Sequence, residues 1–173
     1  MRFLPMATGF ATALLVQQPA LPADASLKRL VMLDFELIDQ TQEQAADSAQ
    51  TARLEKASAT LREEFDRRGL YQVIDRGPAQ PLISDLASRY SLLECEFCLS
   101  DIGSALKAER IMTPWVQKIS DTTLNINIQI TDVATGKAVV NKSVYIRSNT
   151  DDGWMRGIRY LARSMEDKKQ GNK

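Results

Sequence analysis

Two cysteines form the C-x-x-C motif that offers the clearest chemistry in this sequence. Cys95 and Cys98 belong to a chain that has no histidine. In an oxidising compartment such a pair forms a local disulfide at a helix start, and closing so short a loop contributes at most about 2 kcal/mol. The alternative is thiol–disulfide exchange, in which a helix N-terminus lowers the pKa of the first cysteine. Because Glu94 and Glu96 flank Cys95 and oppose a thiolate, we favour the structural disulfide.

Other catalytic and cofactor chemistry has few candidates. Two thiolates supply half of a tetrahedral zinc site, and Leu99 stands where covalent haem attachment requires histidine. The lack of histidine also removes Ser-His-Asp and Cys-His catalysis and the most common general base. The adjacent carboxylates Asp151 and Asp152 suit a helix N-terminus, and Glu63 and Glu64 suit a solvated helix face. We therefore expect no enzyme activity, metal or cofactor.

An amide-rich strand carries the candidate binding surface. Across residues 124–130, apolar side chains alternate with amides, which is the two-residue period of a strand with one buried face. Amide groups make directional hydrogen bonds at a lower desolvation cost than charges. The candidate binding residues are Gln117, Asn125, Asn127, Gln129, Tyr145 and Arg147. The alternative is that they form only the solvated face of an antiparallel sheet.

Two tryptophans and three arginines are further candidates for a binding surface. Trp115 and Trp154 fall on apolar stripes of a predicted strand and a predicted helix, which favours the core over a ligand platform. Arg156, Arg159 and Arg163 recur at helical spacing. They form either a basic ridge or a solvated helix face.

The elements that position these residues are predicted most clearly in the C-terminal half. Strands at residues 111–120, 124–130 and 138–147 form an antiparallel meander, in which Gly136 takes the positive φ of a tight hairpin. Pro114 lacks an N–H, which places that end of its strand at an edge or a bulge. A final helix begins at Asn149 or Thr150 as N-cap and packs against the sheet.

The N-terminal half predicts a β-α-β unit. Residues 27–37 form an apolar run typical of one interior strand, residues 52–68 an amphipathic helix that stops at Gly69, and residues 70–74 a short strand. A short helix at residues 82–90 precedes the cysteines. The fold class is therefore α/β (α+β): a single domain whose mixed sheet has about five strands, a β-α-β unit followed by the meander, with helices packed against it.

Residues 1–25 are predicted to be a secretory signal peptide. Arg2 supplies the basic start, residues 10–16 the apolar core, and Ala23 and Ala25 the small residues after which cleavage is expected. The apolar run is too short to span a bilayer, and no cysteine follows it, so we expect no membrane or lipid anchor. The predicted product is a secreted, periplasmic protein with one domain at residues 26–166 and a polar tail at residues 167–173.

Charge composition excludes two classes of partner. The chain has 22 basic and 22 acidic residues, and the predicted signal peptide removes one of each, Arg2 and Asp24. Nucleic acids and anionic membranes attract proteins with a basic excess. Neither is therefore an expected partner.

Much of the sequence resembles a known family. Residues 95–161, with the VMLDFELID and YQVID segments upstream, resemble a family of uncharacterised, secreted bacterial proteins of this length. More distantly, the chain is similar to the small α/β domain shared by the curli-secretion lipoprotein, the penicillin-binding-protein activator lipoprotein and the N-terminal domain of the Tol–Pal propeller protein. The chain has neither the lipid-bearing cysteine of the two lipoproteins nor the propeller of the Tol protein, so their specific roles do not carry over.

This resemblance implies a function. The related domains act without catalysis, through protein contacts in the cell envelope, and some family members accompany quinoprotein alcohol oxidation systems. We therefore expect a non-catalytic periplasmic accessory protein whose partner is an envelope protein, with a quinoprotein system as one candidate. The alternatives are a thiol–disulfide active protein that uses Cys95 and Cys98, and a small-molecule carrier.

Overall fold

The computed structural model describes residues 26–41 and 48–170. The predicted signal peptide and the last three residues of the predicted tail lie outside this part of the chain. The strands are β1 Arg29–Met32, β2 Glu36–Asp39, β3 Gln72–Val73, β4 Arg110–Ser120, β5 Thr123–Asp132 and β6 Ala138–Ile146. The helices are α1 Ser48–Arg67, α2 Gln80–Arg89, α3 Glu96–Ala105 and α4 Asp151–Gln170, with a short 3₁₀ turn at Gly77–Ala79.

A single mixed sheet organises these elements. Its strand order is β3-β1-β4-β5-β6, and β2 also pairs with β4. Strand β1 pairs in parallel with both β3 and β4, and β2 pairs in parallel with β4. Strands β4, β5 and β6 form the antiparallel meander. The expected mixed sheet with packed helices is therefore confirmed, with six strands.

Local predictions for turns and caps are also confirmed. Gly69 after α1 and Gly136 in the β5–β6 hairpin both have positive φ, at 56° and 67°. The Thr150 hydroxyl accepts the N–H of Gly153 at 3.2 Å, so Thr150 caps α4.

One predicted strand is two strands. The prediction of a continuous strand over residues 27–37 was wrong, because β1 and β2 pair separately with the same side of β4. Between them, the N–H of Phe35 donates to the hydroxyl of Ser58 in α1 at 2.9 Å instead of to β4. A contact with a distant helix therefore interrupts the strand.

Pro114 lies in the central strand and not at an edge, so that prediction was also wrong. Leu33 donates its backbone N–H to the carbonyl of Met112 at 3.0 Å. Gln40 does the same to Lys118, also at 3.0 Å. Since alternate residues of a strand face the same neighbour, Pro114 faces this side as well. Its missing N–H therefore points at the interruption between β1 and β2, where a central strand tolerates proline.

Helices α1 and α4 cover one face of the sheet. Side chains from both helices pack on the apolar positions of β1, β4 and β5. Ile126 and Ile128 of β5 and Trp154 of α4 are fully buried there. A Cβ added to Gly157 would lie 2.8 Å from Ile126 Cδ1 and 2.9 Å from Ile146 Cγ2. Glycine therefore allows α4 to approach β5 and β6 closely.

Helices α2 and α3 cover only part of the other face. Their apolar side chains pack with Val31, Leu33 and Ile111 of the sheet side. Among the described residues, this second apolar cluster includes no side chain of β5 or β6. On that face, α2 and α3 therefore pack on β1 and the start of β4 but form no apolar cluster with the described residues of β5 or β6.

We predict that Gly157→Ala destabilises the fold. Replacing glycine by alanine in a helix interior normally stabilises the helix by about 1 kcal/mol. Here the contacts of its Cβ with Ile126 and Ile146 should outweigh that gain and leave a net loss of about 1 to 2 kcal/mol in the free energy of unfolding. Urea unfolding measures the change. The loss should shrink in an Ile126→Val background, which removes the closest contact; a stabilised Gly157→Ala variant would contradict the packing described.

Candidate functional site

Three rows of side chains cross the face opposite α1 and α4, from β4 through β5 to β6. Gln117 lies opposite Asn125, which lies opposite Tyr145. The strand register defines two further rows beside this one. We call the three rows the polar sheet face: Gln117–Asn125–Tyr145, Trp115–Asn127–Ser143 and Thr113–Gln129–Asn141.

The candidate binding residues from the sequence share this face. The four amides and Tyr145 lie in its rows, and Arg147 follows at the end of β6. The guanidinium carbon of Arg147 lies 5.6 Å from the centre of the Tyr145 ring, and 53% of Tyr145 is exposed. The six residues are therefore brought together, and their role in binding stays a prediction.

The amides are partly engaged within the sheet. Asn127 is only 8% exposed, and its Nδ2 donates to the Asn125 carbonyl at 3.2 Å. Gln129 Nε2 donates to Thr131 Oγ1 at 3.4 Å. These bonds fix the side-chain orientations and leave the carboxamide oxygens of Asn127 and Gln129 without a partner among the described residues. The face is thus less solvated than simple alternation predicts.

Trp115 belongs to this face, so its assignment to the core was wrong. It is partly exposed and lies between Glu36 of β2 and Asn127 of β5. Trp154 is 1% exposed and confirms the core assignment. The sequence signal for Trp115 was its spacing of two residues from Gln117, which places both side chains on one side of β4.

A groove of about 580 Å³ lies where the connection between α2 and α3 meets the polar sheet face. We call it the Glu36 groove; its principal lining residues are Glu36, Thr113, Trp115 and Gln129 from the sheet, and Ser91 and Glu94 from the connection. Partial burial raises the pKa of Glu36. Sequence analysis missed this groove because its walls come from separate segments.

Cys95 and Cys98 form a disulfide at the start of α3. Their sulfur atoms are 1.93 Å apart and their Cα atoms 5.3 Å apart. The Cys98 N–H donates to Cys95 Sγ at 3.3 Å, which makes Cys95 the N-cap of the helix. Cys95 is 7% exposed and Cys98 is fully buried. Because exchange requires an attacking thiolate to reach a sulfur, this burial favours a structural role.

Glu64 is buried, so the prediction that its helix face is solvated was wrong at this position. Arg68 links Glu64 to a second helix. Glu64 is 8% exposed and pairs with Arg67 at 2.6 Å and with Arg68 at 3.0 Å. Burial alone would raise the pKa of Glu64, but the hydrogen bonds from Arg67 and Arg68 lower it overall. Arg68 also pairs with Glu166 of α4 at 2.5 Å. This network links α1 to α4.

The other predicted carboxylate pair lies in the first turn of α4. Asp151 accepts a hydrogen bond from Arg53 of α1 at 2.9 Å, and that bond lowers the pKa of Asp151. Asp152 pairs with Arg156. The three arginines of the predicted ridge are exposed along α4. These charges belong to helix ends and helix contacts, and Arg156 also lines a groove with Tyr145 and Arg147 at the edge of β6.

Residues 26–41 and 48–170 contain neither a metal-binding cluster of His, Cys, Asp or Glu nor a membrane-spanning helix. No group of three or more His, Cys, Asp or Glu side chains there is arranged to hold a metal ion. None of the helices in that part of the chain combines the length and apolar character needed to cross a membrane.

Comparison with protein families gives one match. A family model described as a protein of unknown function, DUF3280 (DUF2380), matches residues 28–165. No curated protein matches the sequence significantly. The match spans most of the chain and includes both the polar sheet face and the cysteine pair.

Solved structures with the same fold include those of LpoB. The LpoB C-terminal domain from Salmonella enterica has a TM-score of 0.53 at 12% identity, covering 72% of this chain and 87% of that one. The same domain from Escherichia coli has a TM-score of 0.52 at 12% identity, with coverage of 73% and 87%. The NMR structure of E. coli LpoB has a TM-score of 0.50 at 10% identity, with coverage of 86% and 84%. These likenesses show a shared fold and confirm the resemblance expected from the sequence.

We predict that Glu36→Gln stabilises the protein near neutral pH. A folded-state pKa above the unfolded value means that ionisation of Glu36 penalises the fold, so stability is lost as pH rises through the folded pKa. The variant should therefore melt at a higher temperature than the natural protein at about pH 7, and this gain should vanish at about pH 4. Thermal unfolding at the two pH values measures both effects.

Glu55→Gln, which alters an exposed carboxylate of α1, serves as the control and should change neither melting temperature appreciably. A gain for Glu36→Gln that persists at low pH, or a loss near neutrality, would contradict the effect of burial on Glu36.

Proposed function

This chain belongs to the DUF3280 family of proteins of unknown function, and we propose that it is a non-catalytic, exported accessory protein that binds an envelope protein. The binding surface in this proposal is the polar sheet face together with Arg147. The observation that carries the proposal is the unequal covering of β5: α1 and α4 pack on one face, whereas the apolar cluster of α2 and α3 on the other includes no described residue of β5 or β6.

The composition of the polar sheet face supports a protein partner. Tryptophan, tyrosine and arginine are the residues that most often dominate binding energy at protein interfaces. Here Trp115 and Tyr145 lie in neighbouring rows, and Arg147 stacks on Tyr145. The amides between them offer directional donors and acceptors at low desolvation cost. The face thus combines apolar anchors with a polar surround.

Location in the envelope is part of the same proposal. The predicted signal peptide would export the chain, and the Cys95–Cys98 disulfide suits an oxidising compartment. Family members that accompany quinoprotein oxidation systems make such a system the first partner to examine. Thiol–disulfide activity is the alternative, and the burial of both sulfurs speaks against it.

We predict that one aromatic side chain distinguishes this surface from the rest of the molecule. Tagged protein is cross-linked mildly in its own envelope, recovered and analysed by mass spectrometry. Tyr145→Ala should reduce recovery of the main partner about tenfold, because it removes an exposed anchor of the polar sheet face. Phe97→Ala is the matched control, since Phe97 on α3 is 53% exposed, the same fraction as Tyr145.

Equal effects of Tyr145→Ala and Phe97→Ala, or no partner with the natural protein, would contradict the proposal. A variant with Cys95→Ser and Cys98→Ser should keep the partner. If that variant folds and loses the partner while Tyr145→Ala retains it, the thiol–disulfide alternative replaces our proposal.

A further inference from the structure

The Glu36 groove contains a carboxylate with no counterion. Glu36 makes no salt bridge or side-chain hydrogen bond with any residue in the described ranges, and burial alone accounts for its raised pKa. A partly buried charge without a partner is unfavourable, and a bound cation would relieve it. Glu94 contributes a second carboxylate to the groove, also unpaired within the described part of the chain. The groove therefore has a negative charge that the protein itself does not neutralise.

A threonine in the same groove also makes no side-chain hydrogen bond within the described ranges. Thr113 is 3% exposed, lines the groove and makes no side-chain hydrogen bond within residues 26–41 and 48–170. The hydroxyl can therefore donate or accept a hydrogen bond with a group bound in the groove. Its position opposite Gln129 across β4 and β5 places it among the other polar lining groups.

Trp115 supplies an aromatic wall. It is partly exposed and lies directly across the strand pair from Glu36. An indole face attracts cations through its quadrupole, and this attraction strengthens where water is excluded. No lysine or arginine is among the groove's lining residues, so no side chain there competes for the aromatic face.

We propose that the Glu36 groove binds a primary ammonium group. Glu36 and Glu94 would neutralise its positive charge. The Thr113 hydroxyl and the Gln129 amide oxygen would accept hydrogen bonds from its N–H groups. Trp115 would contact both the alkyl chain and the ammonium charge. A volume of about 580 Å³ is within the range of small-ligand sites. The ammonium group can belong to a free amine or to a lysine side chain, and the chemistry recognised is the same.

This site does not depend on the proposed function. It lies at one end of the polar sheet face, and it can bind an amine whether or not the face binds a protein. Failure of the cross-linking experiment with successful amine binding would remove the proposed function and leave this site in place.

Ligand titration followed by NMR tests the proposal. The natural protein has two tryptophans, so its spectrum contains two indole N–H signals, and a Trp115→Phe variant assigns them. Butylammonium should shift the Trp115 signal saturably and leave that of the buried Trp154 in place. Butanol, its neutral analogue, should cause no comparable shift. Glu36→Gln should weaken butylammonium binding about tenfold, because it removes the charged acceptor, whereas Glu55→Gln should leave it unchanged.

A second ligand separates the two sources of the ammonium group. Binding of butylammonium but not of N-acetyl-lysinamide supports a free amine, and binding of both supports a lysine side chain. The proposal is overturned if butanol shifts the Trp115 signal as strongly as butylammonium does. It is also overturned if butylammonium fails to saturate a site, or if Glu36→Gln binds it as well as the natural protein does.

Discussion

Burial of one face of β5 is the interaction on which the rest of the structure depends. Leu124, Ile126, Ile128 and Ile130 are all fully buried on the side of the sheet that α1 and α4 cover. Since a strand alternates, burying these side chains forces the intervening amides to the opposite face. Pairing with β4 and β6 then extends the alternation across the meander and generates the polar sheet face. The candidate surface is therefore a direct consequence of how the core is built.

The two helix layers complete this asymmetry. Glycine at position 157 lets α4 lie close against β5 and β6, and the Glu64–Arg68–Glu166 network holds α4 to α1. On the other side, α2 and α3 pack over the parallel strands and stop short of β5 and β6. The connection between α2 and α3 meets the sheet at that boundary and forms the Glu36 groove. A shallow binding face and a narrower groove thus adjoin one another.

Local patterns predicted the meander, the hairpin glycine and the cap of α4 because each depends on residues close together in the chain. The break between β1 and β2 could not be predicted in this way, since it depends on a hydrogen bond from Phe35 to Ser58 in a distant helix. Pro114 was placed at an edge because its tolerance in a central strand requires that same break. The candidate amides were found through the period of one strand. The groove was missed because Glu36, Glu94 and Thr113 come from three separate segments, and no sequence period relates them.

Photo-cross-linking from within the polar sheet face tests the central claim most directly. A photoreactive amino acid is placed at Asn125 in the central row, and in a second variant at Arg159 on the exposed side of α4. Our account predicts that, in the native envelope, position 125 forms a discrete cross-link to another protein and position 159 does not. A discrete cross-link from position 159, with none from position 125, would show that the helical side binds the partner and would contradict the account.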